Sequence, residues 1–84
     1  MTHALKTWPA YFQAIESGSK RFEVRKADRN FKVGDRILLQ EYNSTEKVYT
    51  GKEWDGVITF LMDDPEFVKK GFVVFGIKEY DLPY

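Results

Sequence analysis

The 84-residue sequence contains no cysteine. That excludes disulfide staples, thiolate nucleophiles and cysteine-based zinc sites. Small secreted domains usually depend on such staples, so the absence points to a reducing, cytoplasmic setting. His3 is the sole histidine. With no spaced set of ligands around it, neither a structural metal nor a metal-dependent cofactor is expected. No apolar run approaches the roughly 20 residues that cross a bilayer, and Met1 to Lys6 lacks the apolar stretch of a signal peptide. Neither a membrane span nor a leader is therefore expected. An excess of either charge is missing too, because 13 basic and 13 acidic side chains cancel. A binder held to long nucleic acid by bulk charge is thereby disfavoured.

Aromatic residues, by contrast, are abundant: seven Phe, five Tyr and two Trp. They favour β structure, where flat and branched side chains pack on a pleated surface. A chain this short has room for one domain, residues 1–84, and buries only about 60–65% of its unfolded surface.

Read in order, His3 to Lys6 predicts a short strand. Trp8-Pro9 opens a helix, since proline fits a first turn where its missing N–H is no loss. Thr7 is chemically the better cap. Trp8, Phe12 and Ile15, with Tyr11 beside them, recur at helical spacing, and Ser17-Gly18 ends the helix. Ser19 to Lys26 alternates as a strand, with Phe22 and Val24 on the core face and Arg21, Glu23 and Arg25 on the other. Val33-Gly34-Asp35 turns the chain into Arg36 to Tyr42, whose apolar centre suggests burial on both faces. Asn43 to Lys47 is a loop, Thr50-Gly51 a further turn, and Trp54 to Leu61 a strand with a bulge at Gly56. Asp63-Asp64-Pro65 breaks the pattern and starts a helical turn through Val68. Phe72 to Lys78 is the clearest strand. One early helix among five or six short strands predicts an α+β domain, a small mixed β-barrel with the helix covering an opening. Closure would remove the free strand edges that invite aggregation. The default oligomeric state is a monomer.

Charge is neutral in sum but uneven in place. Residues 20 to 36 hold Lys20, Arg21, Arg25, Lys26, Arg29, Lys32 and Arg36 against Glu23, Asp28 and Asp35. Glu23 and Arg25 share strand parity, so a carboxylate can orient a guanidinium toward a phosphate or base edge. Lys20 has the opposite parity and joins them only if the chain bends after Gly18. Pattern alone favours reading the Arg21, Glu23 and Arg25 face as the solvated side of a half-buried strand.

Leu5-Lys6-Thr7-Trp8-Pro9, the spacing Gly18-x-Lys20-x-x-Glu23-x-Arg25, Phe31-Lys32-Val33-Gly34-Asp35 and Leu39-Gln40-Glu41-Tyr42 together resemble the ASCH superfamily. More narrowly, they resemble its small, phage-associated DUF3850 group. Tyr49-Thr50-Gly51-Lys52 and Gly71 to Ile77 fit the same pattern. The resemblance implies a fold like that of PUA domains and a cleft, beside the first helix, that binds RNA or modified nucleotides. Lys20, Glu23 and Arg25 would line it, with Lys6 and Trp8 at its edge. Trp8 would stack a base, or else pack in the core against Phe12 and Phe22.

Some relatives in that superfamily deacylate N4-acetylcytidine with a lysine, a threonine and a glutamate. Lys20 matches the lysine, but Glu23 stands where the threonine nucleophile belongs, so the resemblance leans away from an amidohydrolase. Ribonuclease activity in other relatives would cast Lys20, Glu23 and Arg25 as stabiliser, base and phosphate clamp. A protein-interaction domain of phage or mobile-element origin is a third class.

Asp28 and Arg29, behind the strand bearing Arg25, fall at the cleft rim or form a solvated loop pair. Glu41, a carboxylate in an apolar strand, needs a partner such as Arg25 or Lys20. His3 is placed near the cleft as a proton carrier or as a structural residue. Asp63-Asp64 with Glu66 reads as a turn rather than a metal site.

Overall fold

A computed structural model describes residues 1–80. Six elements follow in order: strand β1 (Thr2–Thr7), helix α1 (Pro9–Glu16), then strands β2 (Phe22–Lys26), β3 (Arg36–Asn43), β4 (Val48–Met62) and β5 (Phe72–Glu79). The strands form one sheet in the order β1-β3-β4-β5-β2. β1 runs parallel to β3, and the other three pairings are antiparallel. The sheet is mixed, as expected.

It is a curled half-barrel rather than a closed one. β1 and β2 are the two ends of the hydrogen-bonded order, yet side chains tie them across the gap, as described below. The fully buried Phe12, Ile37, Leu39, Ile58 and Phe75 form the centre of the core. Helix α1 contributes Phe12 and Ile15 to it from one apolar stripe. Pro9 occupies the first turn as expected, but Trp8 rather than Thr7 is the N-cap, and without a side-chain cap bond. Thr7 is instead the buried last residue of β1, with the parity of His3 and Leu5.

Three strand expectations are corrected. β3 is fully buried on one face only, through Ile37, Leu39 and Glu41, while the other face is half-buried. Thr50-Gly51 does not end a strand. β4 runs through it, and the register with β3 shifts so that three residues, Thr50 to Lys52, stand opposite Glu41. Gly51, at φ 92°, supplies the left-handed backbone that such a bulge uses. Gly56 is not a bulge: it pairs in register with Ile37 and with Glu79, and the second irregularity lies at Thr59. Gly56 is glycine because the Trp54 ring lies against its Cα, and an added Cβ would stand 2.7 Å from the Lys78 carbonyl oxygen. The Asp64 region forms the expected turn, with Glu66 N–H donating to Asp64 Oδ1 at 2.9 Å.

His3 is structural. Buried on β1, it donates from Nε2 to Asp35 Oδ2 at 2.7 Å, and the Lys32 backbone N–H donates to the same oxygen at 3.1 Å. This fastens the start of β3 to β1. The bond from His3, aided by that from Lys32, holds the Asp35 carboxyl below its ordinary value of 3.8.

Two outcomes are expected. Gly56→Ala should cost about 1–3 kcal/mol through overpacking against a ring and a backbone carbonyl, read as a lower urea midpoint. Because Asp35 titrates lower when folded than when unfolded, its contribution is present above the ordinary carboxylate value and lost as pH falls through the lowered one. Asp35→Asn should therefore lower stability at about pH 6, and the gap from wild type should narrow on acidification to about pH 2. A gap that widens in acid would overturn this assignment.

Candidate functional site

The chain leaves α1 through Gly18 at φ 87°, and the Lys20 backbone N–H returns to the Ala14 carbonyl at 3.0 Å. That bond folds residues 17–20 against the helix end, so Lys20 precedes β2 and is not bound by its alternation. This bend brings Lys20 to Glu23, with which it forms an ion pair.

Glu23 is buried, only 3% exposed, while Phe22 and Val24 are 47% and 52% exposed. The faces of β2 are thus the reverse of the expectation that put Phe22 and Val24 in the core. An isolated carboxylate cannot be buried at tolerable cost, but a fully paired one can. Arg25 Nε donates to Glu23 Oε1 at 2.9 Å and Arg25 Nη2 to the same oxygen at 2.6 Å, while Lys20 holds Oε2. With both oxygens satisfied, the Glu23 face turns inward.

Arg25 then reaches across to the opposite end of the sheet. Its Nη1 donates to the Lys6 carbonyl at 2.8 Å and its Nη2 to Thr7 Oγ1 at 3.1 Å. Four of the five guanidinium N–H groups are engaged in this way. Arg25 is therefore a strap between β1 and β2 before it is a ligand clamp.

Beside the strap lies an open cleft of about 580 Å³, bounded by Lys6, Thr7, Trp8, Tyr11, Lys20 and the strand Phe22 to Arg25. Its walls are mainly apolar. Trp8, Tyr11 and Phe22 are each about half exposed. Lys20 Nζ stands 5.0 Å from the Phe22 ring centre and 5.4 Å from that of Tyr11. Trp8 is not packed against Phe12 and Phe22 in the core. It stacks at 5.8 Å on Tyr42, which meets Tyr49 edge-on at 5.0 Å. Lys6 Nζ sits 4.4 Å from the Tyr42 centroid.

The structure thus gathers Lys6, Trp8, Lys20, Glu23 and Arg25 around one cleft. Asp28 and Arg29 do not line it. They line a second hollow of about 410 Å³ that shares Lys6 and Arg25 with the first. Glu41 is buried, but its partner is neither Arg25 nor Lys20: the bulge at Gly51 places Thr50 Oγ1 to donate to Glu41 Oε1 at 2.7 Å. Glu41 Oε2 has no partner among the described residues. Thr7, Tyr11 and Phe22 join the site without having been singled out by the sequence. Tyr11 was legible, lying three residues after Trp8 on the same helical face.

A curled mixed sheet with a side-chain strap and two adjoining hollows beside it defines a small β domain with a built-in concave face. Residues 2–77 match the family described as "Domain of unknown function (DUF3850)", and the chain belongs to it. It is also 38% identical over 81 residues to the "Uncharacterized 12.9 kDa protein in GpA 3'region" of Escherichia phage P2, covering 96% of this chain and 72% of that relative. No helix among the described residues is long and apolar enough to cross a membrane, nor do those residues hold a cluster of three or more metal-ligating side chains.

Arg25 and Lys20 should behave differently on removal. Arg25→Met leaves buried Glu23 half paired and unties β1 from β2, and should cost about 3–5 kcal/mol. Lys20→Met leaves both Arg25 bonds on Oε1 but strips Oε2 of its donor, and should cost a smaller amount, about 1–3 kcal/mol. Urea unfolding compares the two, and equal costs would contradict the strap.

Proposed function

We propose that this cleft binds a nucleotide or a short stretch of single-stranded RNA, as a binding module rather than an enzyme. The carrying observation is the pairing of three half-exposed rings, Trp8, Tyr11 and Phe22, with one lysine that keeps donors to spare. Lys20 spends one of its three N–H groups on Glu23 and leaves the others for an acceptor. Trp8 has one face on Tyr42 and 44% of its surface in solvent, which leaves area for a base. Base stacking on such a ring contributes about 1–3 kcal/mol and tolerates any sequence.

The arrangement fits a PUA-like domain of the ASCH superfamily, here with its barrel closed by side chains rather than by a strand ladder. A cytoplasmic monomer is the matching form. Against hydrolysis stands the state of Glu23. Both of its oxygens are occupied by cations, which makes it a poor general base. It carries no hydroxyl to replace the threonine nucleophile of the amidohydrolases.

Nuclear magnetic resonance titration with the four ribonucleosides and short RNAs tests the reading. Shifts are expected at the Trp8 indole, Tyr11, Lys20 and Glu23. Trp8→Ala should weaken binding by about fivefold to a hundredfold, the equivalent of removing one base stack. Absence of any shift at these residues at millimolar ligand, or turnover of RNA by the purified protein, defeats it.

A further inference from the structure

The second hollow is a different chemical environment from the first. Lys6, Arg25, Lys26 and Arg29 stand on its wall, with Asp28 as the only acid, beside Gln40 and Tyr49. Arg25 is already balanced by Glu23. Arg29 meets Asp28 only at 3.9 Å, with both side chains well exposed, so that pair holds little of its charge. Among the described residues Lys6 and Lys26 make no ion pair. In a chain of zero net charge this is a local cationic excess, and lysine and arginine donors with nothing to accept them suit an anion with several oxygens.

The two hollows meet at Lys6 and Arg25, the residues common to both. One side is apolar and ring-lined; the other is cationic. Arg25 Nη1 retains one unused N–H on the ridge between them. A nucleotide is divided in the same way, into a flat base and an anionic phosphate joined by a short sugar.

Resting on the base-binding reading above, we propose that Lys6, Lys26 and Arg29 hold the ligand's phosphate in this second hollow. The base occupies the aromatic cleft, the sugar crosses the strap, and the phosphate faces the cationic wall. The ligand class is a phosphorylated nucleoside, either free or as a unit of an RNA strand. An unphosphorylated nucleoside would fill half of the site.

The test compares wild type with the double variant Lys26→Ala/Arg29→Ala, both positions being exposed and outside the aromatic cleft. Calorimetry and resonance shifts are recorded for the four ribonucleosides, their 3′- and 5′-monophosphates and a mixed-sequence RNA hexamer. Wild type should bind a monophosphate or the hexamer about tenfold or more tighter than the nucleoside. The double variant should lose that advantage while nucleoside binding persists. Its hexamer affinity should also depend less steeply on salt, the logarithmic slope falling by about 0.7 for each phosphate no longer neutralised. A gain with monophosphates assigns a free nucleotide, and a gain with the hexamer alone assigns the RNA backbone; either supports the inference. Monophosphates and hexamer that bind no better than nucleosides, or a double variant that retains the full advantage, overturn it and leave the base-binding reading standing. No shift at Trp8 or Tyr11 with any compound removes that reading, and this inference with it.

Discussion

A half-barrel sheet leaves two strand edges facing each other, and here the gap is held by one guanidinium. Arg25 ends on the Lys6 carbonyl and Thr7 Oγ1 of β1 while anchored from β2 by Glu23. Neither end would be stable alone. A buried carboxylate needs charge-assisted partners, and an arginine spanning two strands needs a fixed direction. Each supplies what the other lacks. Because the strap is a side chain rather than a strand, the closure remains open on both sides, and the two hollows are the space it leaves.

That arrangement divides labour among three charged residues which look equivalent along the chain. Glu23 is the hub and has no free oxygen. Arg25 is nearly saturated by protein acceptors. Lys20, released from strand parity by the turn at Gly18, keeps two donors to offer against the one left on Arg25. A motif that reads as a catalytic or phosphate-clamping triad thus becomes, in space, a structural pair with one partly buried cation on the cleft wall.

The order of elements was legible because it rests on local signals: Pro9 at a first helical turn, Gly18 at a helix exit, and the apolar run of Phe72 to Ile77. Strand facing was not. On β2 the rule that apolar residues point inward was overridden by pairing at Glu23, a long-range cause involving Lys6 and Thr7, 19 and 18 positions from Arg25 in sequence. The bulge at Gly51 was hidden for a similar reason. Thr50-Gly51 signals a turn locally, and only pairing with β3 converts that turn into a bulge within a longer strand. Glu41 was recognised as a carboxylate needing a partner, but its partner, Thr50, depends on that same bulge. The site residues nearest the motif were readable by spacing. Tyr11 was readable from its spacing to Trp8, whereas Phe22 required knowledge of which face of β2 lies open.

Zero net charge argued against bulk-charge attachment to long nucleic acid, yet electroneutrality is a sum over separate faces. Asp35 is taken up by His3 and the amino terminus, Asp55 by Arg36, and Glu16 by Lys52. These acids sit on pairs away from the strap. On the walls of the two hollows, Lys6, Lys20, Arg25, Lys26 and Arg29 stand with Glu23 and Asp28 as the acids, while Glu41 lies beside Thr7 in the sheet and Glu53 accepts from Gln40. Over a Debye length of about 8 Å at physiological salt, an approaching ligand senses that local excess rather than the total. Such a field suits a small anion held in a shaped cleft, and it is too confined to grip a long polyanion without regard to what its bases are doing.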